Sequence, residues 1–165
     1  MLDNSNKKKQ NSAITYTQIL EKLKYYCAYQ ERCHKDVNDK LLDFQLSENE
    51  RMNIISELIG ENYLNEERFA IAFSEGKFRM KKWGRIKIKQ KLKEKKVSDY
   101  CLKKGLEALE EDEYQKTLTH LVVKKIESIK ESNLYRKKQK TVSYCYQKGY
   151  ETELIWEVIN SLEDA

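Results

Sequence analysis

Proline is absent from the 165 residues, and glycine occurs five times. Hairpins and sheet turns draw on both, because proline pre-sets a turn dihedral and glycine supplies positive φ; their scarcity argues for helices. No stretch approaches the roughly 18 consecutive apolar residues of a membrane span. The opening MLDNSNKKKQNS is basic but has no apolar segment behind it, so no secretion signal is expected there. It reads as a flexible polar arm over residues 1–14, and a cytoplasmic location is expected. Cys27, Cys33, Cys101 and Cys145 form no C-x-x-C pair and are expected to be reduced thiols. Cys27, Cys33 and His34 lack a fourth ligand for a tetrahedral metal site, so no cofactor is expected. Catalytic signatures are also missing: no G-x-x-x-x-G-K-[ST], no G-x-S-x-G, no H-E-x-x-H and no EF-hand loop. His34 and His120 stand isolated, and the chain is expected not to be an enzyme.

What the sequence has in excess is charge. Charged residues make up 36% of the chain, against a usual share of about 25%. The apolar share of 39% allows a thin core. The net charge of +5 is unevenly spread: residues 77–96 hold eleven Lys or Arg and one acid, Glu94. A second basic run lies at 124–140, and the chain is acidic from Glu151 onward. Such asymmetry points to a polyanion or an acidic protein surface as partner.

A repeat of about fifty residues organises the chain. Nine and twelve residues after Val97 come Leu106 and Leu109. The same offsets from Leu46 reach Ile55 and Leu58, and from Tyr150 they reach Ile159 and Leu162. Five residues before the three anchors stand Leu41, Leu92 and Cys145. In each copy one helix ends, a short turn carries the anchor, and a second helix begins. Ser47 and Ser98 are N-caps, with Glu50 completing a capping box, and Gly149 suits the residue that ends a helix. Longer amphipathic helices precede each pair, over Tyr16–Arg32, Glu66–Met80 and Asp112–Ser132. Asn65 is the expected cap of the second, and Asp112 and Glu113 start the third. The expected fold is all-α: three tandem three-helix repeats over 15–60, 65–110 and 111–163, stacked into an elongated, curved, solenoid-like array.

The run KKWGRIKIKQKLKEKKVS (81–98) alternates like a strand, but the equivalent segments HKDVNDKLLDF and RKKQKTVSYCYQ do not. As a helix it puts Ile88 and Leu92 one turn apart, with rows of Lys87, Lys91, Lys95 and of Lys89, Lys93, Lys96. Like charges at i,i+4 cost about 0.2–0.5 kcal/mol per pair, so the excess points to a functional surface. The candidate contacts are Lys81, Lys82, Trp83, Arg85, Lys87, Lys89, Lys91, Lys93 and Lys95. To these add Arg136, Lys137, Lys138 and Lys140, in the equivalent place of the third repeat. Trp83 is either an inter-helix packing anchor or a partly exposed platform. The lysines suit phosphate or an acidic protein. A membrane surface is disfavoured, because no large apolar face lies opposite them.

ENYLNEERFAIAF (61–73), followed by KKWGRIKIKQKLKEKKVS, resembles the RecX family of bacterial recombinase regulators. Tyr63, Leu64, Arg68, Phe69 and Ala70 match the first part of the family pattern; Gly84, Ile88, Leu92, Lys95 and Val97 match the second. Asn62 and Lys96 stand where the pattern has glycine. YQERCHKDVNDKL (29–41) and YCYQKGYETELIWEVI (144–159) look like the first and last repeats. The resemblance implies three three-helix repeats and a non-enzymatic, monomeric protein that binds RecA and the groove of the RecA–DNA filament. It implies modulation, usually inhibition, of recombinase and coprotease activity, with effects on DNA repair and the SOS response. Direct contact with single- or double-stranded DNA is a further expectation. The alternatives from other classes are a stand-alone nucleic-acid-binding protein with helix-turn-helix-like units and a helical scaffold whose charges only solubilise it.

Overall fold

The computed structural model describes residues 13–163, which hold nine α-helices and no strand. The expected polar arm lies almost wholly outside the described residues. The helices are α1 (Tyr16–Tyr29), α2 (His34–Leu41), α3 (Glu48–Gly60), α4 (Glu66–Lys81), α5 (Arg85–Glu94), α6 (Asp99–Glu107), α7 (Glu111–Ser128), α8 (Leu134–Lys148) and α9 (Thr152–Glu163). Broad helix-on-helix packing stays within three groups: α1–α3, α4–α6 and α7–α9.

Local chemistry sets the starts. Ser47 and Glu50 form a reciprocal capping box, and Asn65 and Ser98 accept the N–H of Arg68 and Cys101. Cys33 caps α2 through its sulfur, with Asp36 returning the bond. At α7 the cap is Glu110, whose carboxylate accepts the N–H of Asp112 and Glu113. Those two acids occupy the first turn, where the positive end of the helix favours them.

The five-residue offset of the repeat is a capping bond. Val97 N–H donates to the Leu92 carbonyl at 3.1 Å, and Tyr150 N–H to that of Cys145 at 3.2 Å. These are the long bonds of helix-ending Schellman turns, and the residue before each anchor is left-handed: Lys96 (φ 57) and Gly149 (φ 98). Tyr63 closes α3 on the Leu58 carbonyl in the same way, with Asn62 at φ 62. Asn62 and Lys96 thus hold the backbone conformation that favours glycine, at a cost of about 1–2 kcal/mol for an ordinary L-residue and less for Asn. The first copy differs. Leu42 is right-handed, Phe44 N–H returns to the Leu41 carbonyl, and Leu46 N–H bonds Phe44.

Two apolar clusters form rather than three. The first joins α1, α2 and α3 through Leu23, Val37, Leu41, Ile54 and Leu58, closed by Leu64. The second runs unbroken through α4–α9, with Ile88, Leu92, Leu118, Val122, Cys145, Tyr150 and Ile155 fully or almost fully buried, and it takes in Cys33 from the first group. Within it α6 lies hard against α4: a Cβ on Gly105 would stand 2.7 Å from the Ala70 carbonyl oxygen.

Several boundaries differ from expectation. α1 stops at Tyr29, where Gln30 turns extended. α7 stops at Ser128 rather than Ser132, because Ile129 is extended (φ −83, ψ 115) and the buried stripe has run out after Val122. α8 is 15 residues long, not short; Asn133 caps it and it starts at Leu134. Leu162, aligned with Leu58 and Leu109, is 41% exposed, and Ile159 takes the buried place.

Candidate partner-binding surface

The ambiguous basic run is helix α5, and its two ends are held by different neighbours. At its start the glycine cap offers no side chain, and the free N–H groups of the first turn find partners in the third group instead. Gly84 N–H donates to the Lys148 carbonyl (2.8 Å) and Ile86 N–H to that of Gly149 (2.9 Å). Arg85 N–H donates to the Tyr114 hydroxyl (2.9 Å), which donates in turn to Glu151 (2.7 Å). Burial pushes the Tyr114 phenol well above its ordinary pKa, so it stays a protonated donor. A Cβ on Gly84 would stand 2.3 Å from the Gly149 oxygen, so only a glycine permits this approach.

Several expected contact residues are committed to these junctions. The Arg85 guanidinium lies 3.8 Å over the Tyr114 ring and pairs with Glu111 (2.5 Å) and Glu151 (3.5 Å). Lys87 sits 4.9 Å from the centre of the Trp83 ring and donates to the Gln147 carbonyl (3.3 Å). Trp83 packs half-buried on the second cluster, with Lys77 also near its face. At the other end Lys95 pairs with Asp36 (2.9 Å). Burial opposes the Asp36 charge, but Lys95 and the hydrogen bonds from Cys33 outweigh it and hold the carboxyl below its ordinary value. Lys91 pairs with Glu94 (2.7 Å).

Lys89 and Lys93 remain exposed and make no ion pair among the described residues. They line an open groove of about 950 Å³ together with Arg85, Lys103, Asp99, Glu107, Glu110, Glu111, Leu102, Leu106 and Leu109, in which Lys103 pairs with Glu107 at 3.7 Å and Arg85 with Glu111. The groove is therefore mixed in charge.

Arg136, Lys137, Lys138 and Lys140 occupy the first two turns of α8, and Lys140 pairs with Glu131 (3.1 Å). The far end of α8, not this basic start, meets α5. The two lie about 18 Å apart along the helix at 1.5 Å per residue. Lys81 and Lys82 are exposed at the end of α4. The Lys81 carbonyl accepts from Lys148 (3.3 Å). Lys82 faces α7, where His120 and Lys124 lie. Sequence reasoning left those two out of the surface, although the spacing of Lys116, His120 and Lys124 by four residues marks one helix stripe.

The described residues hold no group of three His, Cys, Asp or Glu side chains fit for a metal ion. Among them no helix is long and apolar enough to cross a membrane. Cys27, Cys33 and Cys145 are buried and unpaired, and burial pushes their thiols up to about 11.

Tandem three-helix units, with charged grooves on their surface, define the class as an all-α repeat protein. The chain belongs to the RecX family. Residues 65–106 match the family's second three-helix domain and residues 111–159 its third. It is similar to "Regulatory protein RecX" of Bacillus cereus (strain B4264), at 23% identity over 139 residues, covering 84% of this chain and 52% of that protein. Its counterpart in Lactococcus lactis subsp. cremoris (strain SK11) is 27% identical over 142 residues, covering 84% and 53%. The chain thus spans about half the length of the curated relatives it matches. The fold is that of the crystal structure of RecX from Lactobacillus salivarius, with a TM-score of 0.82 at 21% identity over 91% of this chain and 97% of that one. A second crystal structure of a regulatory protein RecX has a TM-score of 0.79 at 17% identity over 88% of this chain and 71% of that one.

Proposed function

We propose that this chain is a cytoplasmic, non-enzymatic regulator that binds RecA in the groove of the RecA–DNA filament and inhibits recombinase and coprotease activity. On this reading it is a monomer whose three units span 15–60, 65–110 and 111–163. The observation that carries it is the groove beside α5. Lys89 and Lys93 project from a helix anchored at both ends, into a groove lined also by four carboxylates and three leucines. A groove mixed in charge gives phosphate little net attraction, whereas a folded protein surface offers charges of both signs and apolar atoms to match it. Lys87, Lys95 and Arg85 contribute indirectly, by fixing the angle at which neighbouring units present their surfaces.

The test is inhibition of RecA's DNA-dependent ATPase by a variant carrying Lys89→Glu and Lys93→Glu. Inhibition is expected to weaken about tenfold or more, the order of one to two disrupted charge contacts, with helicity unchanged by circular dichroism. Full inhibition by the folded variant would overturn the assignment of this groove. Tight DNA binding by the parent chain that is indifferent to RecA would favour a stand-alone nucleic-acid-binding protein instead.

A further inference from the structure

Two adjoining hollows between the end of α4, α7 and α8 have no acid in their lining. One, of about 380 Å³, is formed by Lys82, His120, Lys124, Lys125 and Tyr144 around Leu121. The other, of about 310 Å³, shares Lys82, His120 and Leu121 and adds Lys116 and Thr117. The contrast with the α5 groove, which carries four carboxylates, is chemical.

The backbone and one aromatic ring position part of this cationic lining. Lys82 sits at the left-handed residue that ends α4 (φ 55), its N–H bonded to the Phe78 carbonyl at 2.9 Å. The Lys125 ammonium lies 4.7 Å from the centre of the Tyr144 ring, and that of Lys148 5.9 Å, so the aromatic face supports both. Lys116, His120 and Lys124 follow one another at four-residue intervals. Lys116 is partly neutralised by Glu113 at 3.3 Å, while Lys124 makes no ion pair among the described residues. A helix gains nothing from such a row by itself. The row extends about 12 Å, the axial length of roughly three to four nucleotide steps of one duplex strand at about 3.4 Å per step.

We propose that this hollow is a nucleic-acid backbone site, and that the chain's phosphate contacts are made here rather than along α5. The inference rests on the filament-regulator reading and divides it: the mixed groove meets protein while the all-cationic hollow meets DNA. Lys82, Lys124 and Lys125 neutralise phosphodiester oxygens, and His120 adds a hydrogen-bonding ring nitrogen between them. The contacts are with the backbone, so binding is insensitive to sequence and falls steeply with salt.

The test is fluorescence anisotropy of the full chain with a labelled single-stranded oligonucleotide and, separately, a duplex of the same sequence, between about 50 and 200 mM salt. Lys82→Glu with Lys124→Glu is expected to weaken binding at least tenfold. It should also lower the slope of log K against log salt by about 1.5, the loss of two phosphate contacts. Lys89→Glu with Lys93→Glu is expected to bind within twofold of the parent, and the strand form with the larger loss identifies which DNA the hollow takes. Both pairs are solvent-exposed, and circular dichroism verifies the fold. The proposal is overturned if the hollow variant binds like the parent, if the α5 pair loses as much, or if the parent binds neither oligonucleotide. It is also overturned if the hollow variant loses RecA inhibition while keeping DNA affinity, since the hollow would then face an acidic protein. Failure of the filament reading is scored separately, by the ATPase assay on the α5 pair, and does not move the DNA measurement.

Discussion

The junction between the first and second helix groups is built from side chains, whereas that between the second and third adds direct backbone-to-backbone contact to its side-chain pairs. At the first, Glu31 meets Arg68 (2.5 Å), Asp36 meets Lys95 (2.9 Å), His34 approaches Glu66 (4.0 Å), and the Cys33 thiol is buried in the neighbouring core. At the second, the start of α5 is pressed against the end of α8 through Gly84 and Gly149, with main-chain hydrogen bonds that tolerate no intervening Cβ. Long polar side chains re-adjust when neighbours shift, whereas abutting backbones cannot. The continuous core through α4–α9, against the separate cluster of α1–α3, shows the same difference. The second and third groups share one core, to which the first is attached by ion pairs and the buried Cys33 thiol.

The largest expected effect comes from filling the glycine contact. Gly84→Ala places a Cβ 2.3 Å from a main-chain oxygen and should cost about 3 kcal/mol, as overpacking against backbone does. The equivalent cap of α2, changed as Cys33→Ala, should cost about 1 kcal/mol through the lost sulfur contacts and weak cap. Urea unfolding of the two variants checks the ranking, and equal losses would erase the distinction between the junctions.

A smaller effect tests the ionic side. Asp36→Asn is expected to cost about 1 kcal/mol at neutral pH, in keeping with a half-buried pair. Because the folded carboxyl titrates below its ordinary value of 3.8, its contribution is complete above the unfolded pKa and disappears as pH falls through the folded one. The gap between parent and variant should therefore stay constant above about pH 5 and close toward lower pH. A gap that persists in acid would assign the loss to helix capping rather than to Lys95.

The smallest effect is a gain. Lys96→Gly relieves a left-handed lysine (φ 57) and should stabilise the chain by about 0.5–1 kcal/mol, since part of the relief is offset by a more flexible unfolded chain. Thermal unfolding reads it, and a loss would mean that the turn is held by the Lys96 side chain.

Much of the framework was legible from short-range patterns. Ser47, Asn65, Ser98 and Gly149 announce helix ends because caps are chosen by residues within a turn of one another. The five-residue step from Leu92 to Val97 and from Cys145 to Tyr150 was visible as a repeat because it is a helix-ending hydrogen bond. The helical reading of 85–94 followed from spacing that buries Ile88 and Leu92 completely. The end of α7 was not legible, because polar residues after Val122 neither forbid nor require another turn.

The surface was legible as charge but not as geometry. Arg85, Lys87, Lys89, Lys93 and Lys95 look alike in a list of residues. Tyr114, Gln147 and Asp36, between 29 and 60 residues away, turn three of them into fasteners and leave Lys89 and Lys93 outward. His120 and Lys124 gained a neighbour in Lys82 only because α4 ends against α7.

By itself, then, the sequence determined the helical class, several of the caps, the fifty-residue periodicity and the RecX-like pattern, all of which depend on interactions spanning at most a few turns. The tertiary structure alone decided which lysines are fasteners and which are free, that Gly84 must meet Gly149, and that one hollow is purely cationic. Those outcomes depend on where one helix group lies against the next, and that placement is the sum of contacts between residues dozens of positions apart.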